Sequence, residues 1–269
     1  MVQALSLDNT MKRSTSLFFP RCVSEELERF ILDNGELRTL SKGSGVSKQT
    51  LLNNFIYVKN GLVFYKKRTN NYTKPKFSTI IPSGRLTDYH LILENSCTCC
   101  KGIESARDSD VLIINKAVIK NLMKTDVNLF SQFMMDAVYH TERQTALAVF
   151  LLTASPKEKL VKFLFDALTT FGNQFNSAWM EVDIKLTREE IANALHVSVI
   201  KLDLMLGELK KEQKLKRVNN KLCIHHSVFE DLSPCPLGRE DATGCQSNNL
   251  LKYKQKNMIS AINSVSFDE

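Results

Sequence analysis

The sequence predicts an α+β fold in which a region of short strands precedes a long helix and a helix-turn-helix. Short β-rich runs separated by Gly, Asn and Pro occupy Leu37 to Ile114, and apolar residues recur at helical spacing from Lys116 to Thr153. Two capped helices joined by a tight turn begin at Thr187. A chain of 269 residues, 43% of them hydrophobic, is long enough for two compact domains.

Charge and motif content narrow the class of protein. A net charge of +7 favours polyanionic partners such as nucleic acid. No apolar run reaches the ~18 residues of a membrane span, and the first twenty residues lack the apolar segment of a signal peptide, so we expect a cytoplasmic protein without a membrane partner. Seven cysteines, an odd number, disfavour a secreted disulfide framework. Nucleophile motifs and Gly-rich phosphate loops are absent, so we expect no catalytic residues and no enzyme.

The first part of the chain is predicted to be an arm followed by strands. Residues 1–25 show no periodicity, and the sequence assigns the arm no function. Phe55–Val58 and Leu62–Tyr65 flank Asn60-Gly61, a pair typical of a tight β-hairpin. Val111–Ile114 predicts a buried strand that closes the region at residue 115.

Residues 116–154 form the predicted long helix, either continuous or as two nearly collinear helices. One domain covers a helix of this length poorly, so a partner helix is expected to pack on it. The apolar positions recur at steps of three, four and seven, and those predicted to lie in a dimer interface are Phe130, Phe133, Met134, Ala137, Thr141 and Ala148.

Three capping signals define the helices of residues 155–232. Ser155 to Glu158 and Thr187 to Glu190 are capping boxes, and Ser198 caps a further helix that runs to about Glu212. His196 lies in the turn, where histidine tolerates a left-handed conformation better than most residues.

Two strands around Asn219-Asn220 are then predicted from Lys216 to Ile224, as a wing. Residues 233–269 lack a stable period and are expected to be a tail.

These motifs resemble a known family. Leu186 to Ser198, followed by Leu202, Leu206 and Leu209, is similar to the helix-turn-helix of the bacterial Crp/Fnr transcription regulators, and Phe55 to Tyr65 is similar to their β-roll. The resemblance spans roughly residues 30 to 232. It implies a jelly-roll-like β-roll sensor domain at 26–115, a homodimer along the long helix, and a winged domain that reads a near-palindromic site in double-stranded DNA. RNA polymerase is a further candidate partner.

The effector positions depart from the family pattern. Nucleotide-binding members hold the ligand with a Gly-Glu pair and an Arg-Ser or Arg-Thr pair, and this chain has Asp88-Tyr89 and Cys99-Cys100 instead. Cyclic AMP is therefore not expected as a cofactor, unless Arg85 or Lys101 replaces the missing charge. Cys97, Cys99 and Cys100 suit redox or metal sensing, with no metal specified, but they also fit incidental thiols in a loop.

The predicted recognition helix is apolar where the family reads bases. If Leu202, Met205, Leu206 and Leu209 are buried, the helical period places Ile200, Leu204, Gly207 and Lys211 on the opposite face. The resemblance implies that bases are read from Val199, Ile200 and Leu204, which are all apolar. Three interpretations remain open. The helix contacts thymine methyl groups of A·T-rich DNA, it binds a protein as a co-regulatory module, or its phase is shifted by one residue.

Phosphate contacts are predicted from the charge around this helix and the wing. The segment from Lys201 to Lys221 contains seven cationic side chains and three carboxylates, which gives a local net charge of +4. A solvated basic face is the alternative. The residues predicted to contact DNA are Thr187, Arg188, Ser198, Val199, Ile200, Lys201, Leu204, Lys216, Arg217 and Lys221.

Overall fold

A region of mostly strands precedes a region of mostly helices in the computed structural model, which describes residues 16–67, 76–87, 89, 100–174, 178–182, 186–219 and 221–229. The helices are α1 Glu25–Asn34, α2 Lys48–Asn53, α3 Lys116–Thr125, α4 Val127–Thr153, α5 Pro156–Phe171, α6 Arg188–Leu195 and α7 Val199–Lys211. The strands of the first part are β1 Glu36–Leu40, β2 Gly45–Ser47, β3 Asn54–Asn60, β4 Leu62–Lys67, β5 Lys76–Pro82, β6 Arg85–Leu86, β7 Cys100–Ser105 and β8 Ser109–Asn115. Those of the second part are β9 Gly172–Gln174, β10 Trp179–Val182, β11 Leu215–Val218 and β12 Lys221–His225.

The first part is a sandwich of two antiparallel sheets, which is the predicted β-roll. Their strand orders are β1-β8-β3-β6 and β2-β7-β4-β5. Side chains from both sheets, among them Ile56, Val63 and Val111, are fully buried in one shared cluster. The strands that supply this cluster are far apart in sequence. The roll is therefore stabilised by contacts between distant segments of the chain.

The predicted hairpin at Asn60-Gly61 is wrong. β3 pairs with β8 and β6, whereas β4 pairs with β5 and β7, so the two strands belong to different sheets. A tight hairpin turn requires positive φ at both central residues, and only Gly61 has it, at 96°. A Cβ at this glycine would lie 2.2 Å from the Oγ of Ser109, so the chain needs glycine to cross between the sheets.

The long helical stretch is divided at Asp126. This residue has φ −152° and ψ 87°, outside the helical region, and its side chain accepts a hydrogen bond from the backbone N–H of Leu129 at 3.0 Å. Asp126 therefore ends α3 and caps α4, and the stretch is two helices.

The helix face predicted for dimerisation is partly wrong. Phe133 is 0% exposed and Ala137 is 9% exposed, because both lie in the chain's own core with Phe55 and Leu112. Phe130 and Met134 pack on the same cluster and are half-buried, whereas Thr141 and Ala148 are exposed. A side chain inside its own core offers no surface to a second copy, so Phe133 and Ala137 are corrected to core residues.

The second part is a winged helix-turn-helix. Both predicted capping boxes form, at Ser155 with Glu158 and at Thr187 with Glu190. The four-stranded sheet β11-β12-β10-β9 contains the wing hairpin, whose turn places Asn219 at φ 49°. Leu160, Phe163 and Leu206 belong to its buried core.

The described end of the arm is buried against both parts. Leu17, Phe18 and Phe19 are 7%, 3% and 1% exposed. They share a cluster with Leu160 and Phe163 of α5 and with Leu62, Phe64 and Ile80 of the roll. The sequence assigned this arm no role, and the structure makes it part of the core between the domains.

Candidate nucleic-acid interface

The turn between α6 and α7 sets the angle at which α7 leaves the domain. His196 ends α6 in the left-handed conformation, with φ 55° and ψ 42°, as the sequence predicted for this position. Ser198 then caps α7 by accepting a hydrogen bond from the N–H of Lys201 at 3.2 Å. Two helices joined by a turn this short present one face of α7 outward.

The faces of α7 are those the sequence predicted. Leu202, Met205, Leu206 and Leu209 are between 0% and 7% exposed, packed in the winged-helix core. Val199, Ile200 and Leu204 are 39%, 75% and 58% exposed. The interpretation that the helix phase is shifted by one residue is therefore wrong, and these three aliphatic side chains form the outer face at the start of α7.

Several predicted phosphate ligands are already paired with neighbouring groups. Arg188 donates to Asp203 at 2.7 Å, which joins α6 to α7 through an exposed ion pair. Lys221 pairs with Glu181, and the ammonium of Lys216 lies 3.8 Å from the ring centroid of Trp179. These contacts orient the cations, since a cation over an aromatic face is attracted to it while still exposed to solvent.

Other cations face solvent. Lys201 lies between Ile200 and Leu204 on α7, and Arg217 lies on the wing strand β11. Both side chains are exposed, and neither has an ion pair among the residues that the structure describes. Thr187 is exposed at the N-terminus of α6, but its hydroxyl already accepts a hydrogen bond from the N–H of Glu190 at 3.2 Å as part of the capping box. Lys201 and Arg217 are therefore the predicted ligands best placed to meet a phosphate.

Sequence reasoning missed the partners of these cations. Asp203 and Glu181 lie 15 and 40 residues from Arg188 and Lys221, beyond the i, i+4 spacing at which charge pairs can be read from a helix. Trp179 lies on β10 and Lys216 on β11, so no local pattern in the sequence indicates their contact. Three of the ten predicted DNA contacts thus depend on acidic or aromatic neighbours that no local pattern indicates.

The predicted effector residues are only partly described. Cys97 and Cys99 lie outside the described residues, and for Cys100 the structure gives the backbone, at the start of β7. No group of three or more His, Cys, Asp or Glu side chains within the described ranges is arranged to hold a metal ion. Of the residues proposed to replace the missing charge, Arg85 donates to the carbonyls of Pro20 and Ser83, and burial lowers its pKa.

A second surface runs along α4, opposite its buried face. Met135, Val138, Val149 and Leu152 are 52%, 49%, 47% and 86% exposed. Together with exposed Glu142 and Thr145 they recur at steps of three and four, which is the a/d spacing of a coiled-coil seam. Such a stripe fits a second helix of the same kind, and it is distinct from the face that the sequence predicted.

The comparisons with known proteins agree with this architecture. No protein-family model matches the chain, and no curated protein matches its sequence. A cyclic nucleotide-binding domain containing protein from Listeria monocytogenes EGD-e is similar with a TM-score of 0.59 and 13% identity, over 74% of this chain and 97% of that chain. A mutant of CooA from Carboxydothermus hydrogenoformans has a TM-score of 0.58 and 19% identity, over 73% and 85%. CLP from Xanthomonas campestris, a c-di-GMP responsive global regulator, has a TM-score of 0.53 and 15% identity, over 74% and 97%.

The chain therefore has the fold of the Crp/Fnr regulators, a class to which CooA and CLP belong. The resemblance drawn from the helix-turn-helix and the strand region is confirmed at the level of the fold, with the domain order of roll, long helix and winged helix. Among the described residues, no helix is both long and apolar enough to cross a bilayer.

Proposed function

We propose that this protein is a cytoplasmic transcription regulator that binds a near-palindromic, A·T-rich site in double-stranded DNA as a homodimer. The observation that carries the proposal is the outer face of α7. Val199, Ile200 and Leu204 stand exposed at the start of a helix that a winged-helix scaffold holds outward. Structural neighbours that are regulators rather than enzymes support the same class.

Direct readout on this face is mainly apolar. The major-groove edge of thymine carries a methyl group that aliphatic side chains contact, and the face lacks the Arg and Glu side chains that form hydrogen bonds with other bases. Lys201 on the same helix and Arg217 on the wing strand, both exposed, supply phosphate contacts. Sequence preference then rests on methyl contacts and on DNA shape.

The homodimer is proposed to form along the α4 stripe. Two helices packed through Met135, Val138, Val149 and Leu152 would bury four exposed aliphatic side chains of α4 and relate two winged domains by a two-fold axis. Leu152→Glu should give a monomer in sedimentation equilibrium. Met123→Glu is the matched control, because Met123 is equally apolar and 58% exposed but lies on α3, away from the stripe.

The test of DNA reading is the salt dependence of binding to a pool of genomic fragments, with sequencing of the fragments retained as salt rises. A specific reader retains a pseudo-palindromic motif that survives salt better than bulk binding does. Elution of all fragments together with one steep salt slope would refute the proposal, because only the basic face would then be acting.

A second candidate function is a co-regulatory module that binds a protein through the same aliphatic face. Three exposed aliphatic side chains on one helix face, with Ile200 at 75%, are typical of a partner surface. Ile200→Ser/Leu204→Ser separates the two functions, with Leu37→Ser, at a site 56% exposed on β1, as the matched control. Altered operator preference supports DNA reading, and intact operator binding with loss of a protein partner such as RNA polymerase supports the module.

The cysteine cluster is the proposed site of effector sensing. Cys97, Cys99 and Cys100 are proposed to respond to oxidation or a metal in place of cyclic AMP, since thiolates at close spacing suit either. A triple Cys→Ser variant should lose any difference in operator affinity between oxidised and reduced protein. Equal operator affinity for the wild type and the triple variant, both oxidised and reduced, would exclude this role.

A further inference from the structure

The arm segment Ser16–Val23 contacts each of the three parts of the molecule. Leu17 and Phe18 bind α5 of the winged domain, Leu17 and Arg21 contact α4, and Pro20 and Val23 bind the roll. Its contacts include hydrogen bonds of the backbone as well as apolar packing.

At the winged domain, the arm is held by a buried carboxylate. Oδ2 of Asp166 accepts hydrogen bonds from the N–H groups of Leu17 at 2.7 Å and Phe18 at 3.1 Å, and Asp166 is only 1% exposed. The rings of Phe18 and Phe19 lie 5.2 and 5.6 Å from the ring of Phe163 on α5. Charge-assisted bonds to a buried carboxylate are among the stronger hydrogen bonds in a protein.

On α4, the arm meets two charged side chains. Arg143 donates to the carbonyl oxygen of Leu17 at 2.6 Å, and it is buried deeply enough that burial lowers its pKa to about 10. Two further groups of that guanidinium, Nε and Nη2, are buried without a hydrogen-bond partner among the described residues. Arg21 pairs with Asp136 two turns earlier on the helix and stacks on the ring of Tyr139 at 3.9 Å.

At the roll, the arm is tied by its backbone. Arg85 Nε donates to the carbonyl of Pro20 at 2.9 Å, and the N–H of Val23 donates to the carbonyl of Gly84 at 3.1 Å. The arm therefore has fixed points on both sides of the domain boundary.

The two domains also share apolar packing beside the arm. Helix α6 of the helix-turn-helix packs against β5 of the roll. Leu62, Phe64 and Ile80 of the roll, at 6%, 1% and 2% exposed, lie in the same buried cluster as the winged-helix core. Leu17, Phe18 and Phe19 complete this cluster, so the contact between the domains includes the arm as a third component.

We propose that Ser16–Val23 is a strap that holds the winged domain docked on the roll, and that withdrawal of the strap releases this domain. The docked state fixes where each α7 stands relative to α4. For the DNA reader proposed above, on which this last step rests, the strap would then set the spacing of the two recognition helices in the dimer.

Side-chain footprinting of the full chain tests the strap without DNA. We compare the wild type with the double variant Phe18→Ala/Phe19→Ala. In the variant, the side chains of Leu62, Phe64 and Ile80 should become labelled several-fold faster, while Ile56 and Val58 in the core of the roll stay protected. Phe30→Ala is the matched control, because Phe30 packs on the cluster that contains Phe55 and Leu112 and lies outside the cluster that the two domains share. Unchanged labelling of Leu62, Phe64 and Ile80 would overturn the proposal.

Labelling of Tyr65 reports whether the roll itself has unfolded. Tyr65 is 1% exposed and belongs to the inner cluster of the roll. If the double variant labels Tyr65, Asp166→Asn takes its place, because this substitution keeps the volume and removes the charge that both arm N–H groups meet. Labelling of the three shared residues with Tyr65 protected supports the strap, and protection of all four contradicts it.

DNA binding gives an independent readout. The double variant should bind a single half-site as the wild type does and lose about tenfold or more of its affinity for a full operator, because two domains that are no longer held at one spacing gain less from simultaneous binding. Equal loss on both sites would contradict the spacing role. Failure of the wild type to bind any specific operator would count against the proposed function and leave the footprinting result standing.

Discussion

Two buried aspartates contact the arm, and their carboxylate oxygens accept different numbers of hydrogen bonds. Asp166 accepts from two backbone N–H groups and, through Oδ1, from Lys162 at 2.7 Å. Asp136 pairs with Arg21 through Oδ1, while its Oδ2 is buried without a hydrogen-bond partner among the described residues. Burial raises the pKa of both carboxyls, and the basic partner of each opposes that rise. The arm is therefore held by more hydrogen bonds at the carboxylate of α5 than at the carboxylate of α4.

The largest expected effect is at Asp166. Asp166→Ala removes the acceptor of two buried N–H groups and leaves the ammonium of Lys162 unpaired, so the free energy of unfolding should fall by about 3–5 kcal/mol. Urea denaturation measures it. Asp203→Ala is the matched control, because it breaks an exposed ion pair with Arg188 and should cost about 0–1 kcal/mol. Similar losses in the two variants would remove the distinction drawn for Asp166.

A smaller effect is expected at Arg21. Arg21→Met keeps an apolar stem beside Tyr139 and leaves the Asp136 carboxylate without its cation. Because the side chain of Arg21 is 37% exposed and solvent screens the pair, the loss at neutral pH should be about 1–2 kcal/mol. Adding Asp136→Asn to this variant should restore most of the loss. If the double variant is as unstable as the single one, the two residues are not coupled.

The smallest effect is a pH dependence at Asp136. A carboxyl whose folded pKa is raised binds its proton more tightly in the folded state, so its contribution to stability is present at low pH and is lost as pH rises through the folded pKa. The free energy of unfolding of the wild type minus that of Asp136→Asn should therefore fall as pH rises from the usual carboxyl range through this raised pKa. A difference that is flat with pH would show that Asp136 titrates alike in both states.

The winged domain could be predicted in detail because its signals are local. Ser155, Thr187 and Ser198 mark helix starts by pairing with groups three residues away, and the 3.6-residue period separates Leu202 from Ile200. Each of these relations lies within one turn or two of helix. Helix phase and turn conformation at His196 were therefore both correct.

The roll and the arm could not be predicted to the same depth because their relations are distant. The partners of β3 are β8 and β6, and the Asn60-Gly61 pair indicated a neighbour that it does not have. Leu17 and Asp166 are 149 residues apart, and nothing within the arm shows that its backbone N–H groups have a carboxylate to meet. The buried face of α4 was misassigned for the same reason, since a helical period gives a face but not what covers it.

The aliphatic face of α7 has a consequence for the chemistry of the DNA site that we propose it reads. In that proposal a side chain such as Ile200, 75% exposed, would contact the C5-methyl group of thymine and would make no hydrogen bond that identifies the base. 5-Methylcytosine carries the same methyl group at the same edge of the major groove. For a reader built in this way, methylation of a cytosine in the half-site creates a contact that unmodified cytosine lacks, so the epigenetic state of the DNA becomes part of what the helix recognises.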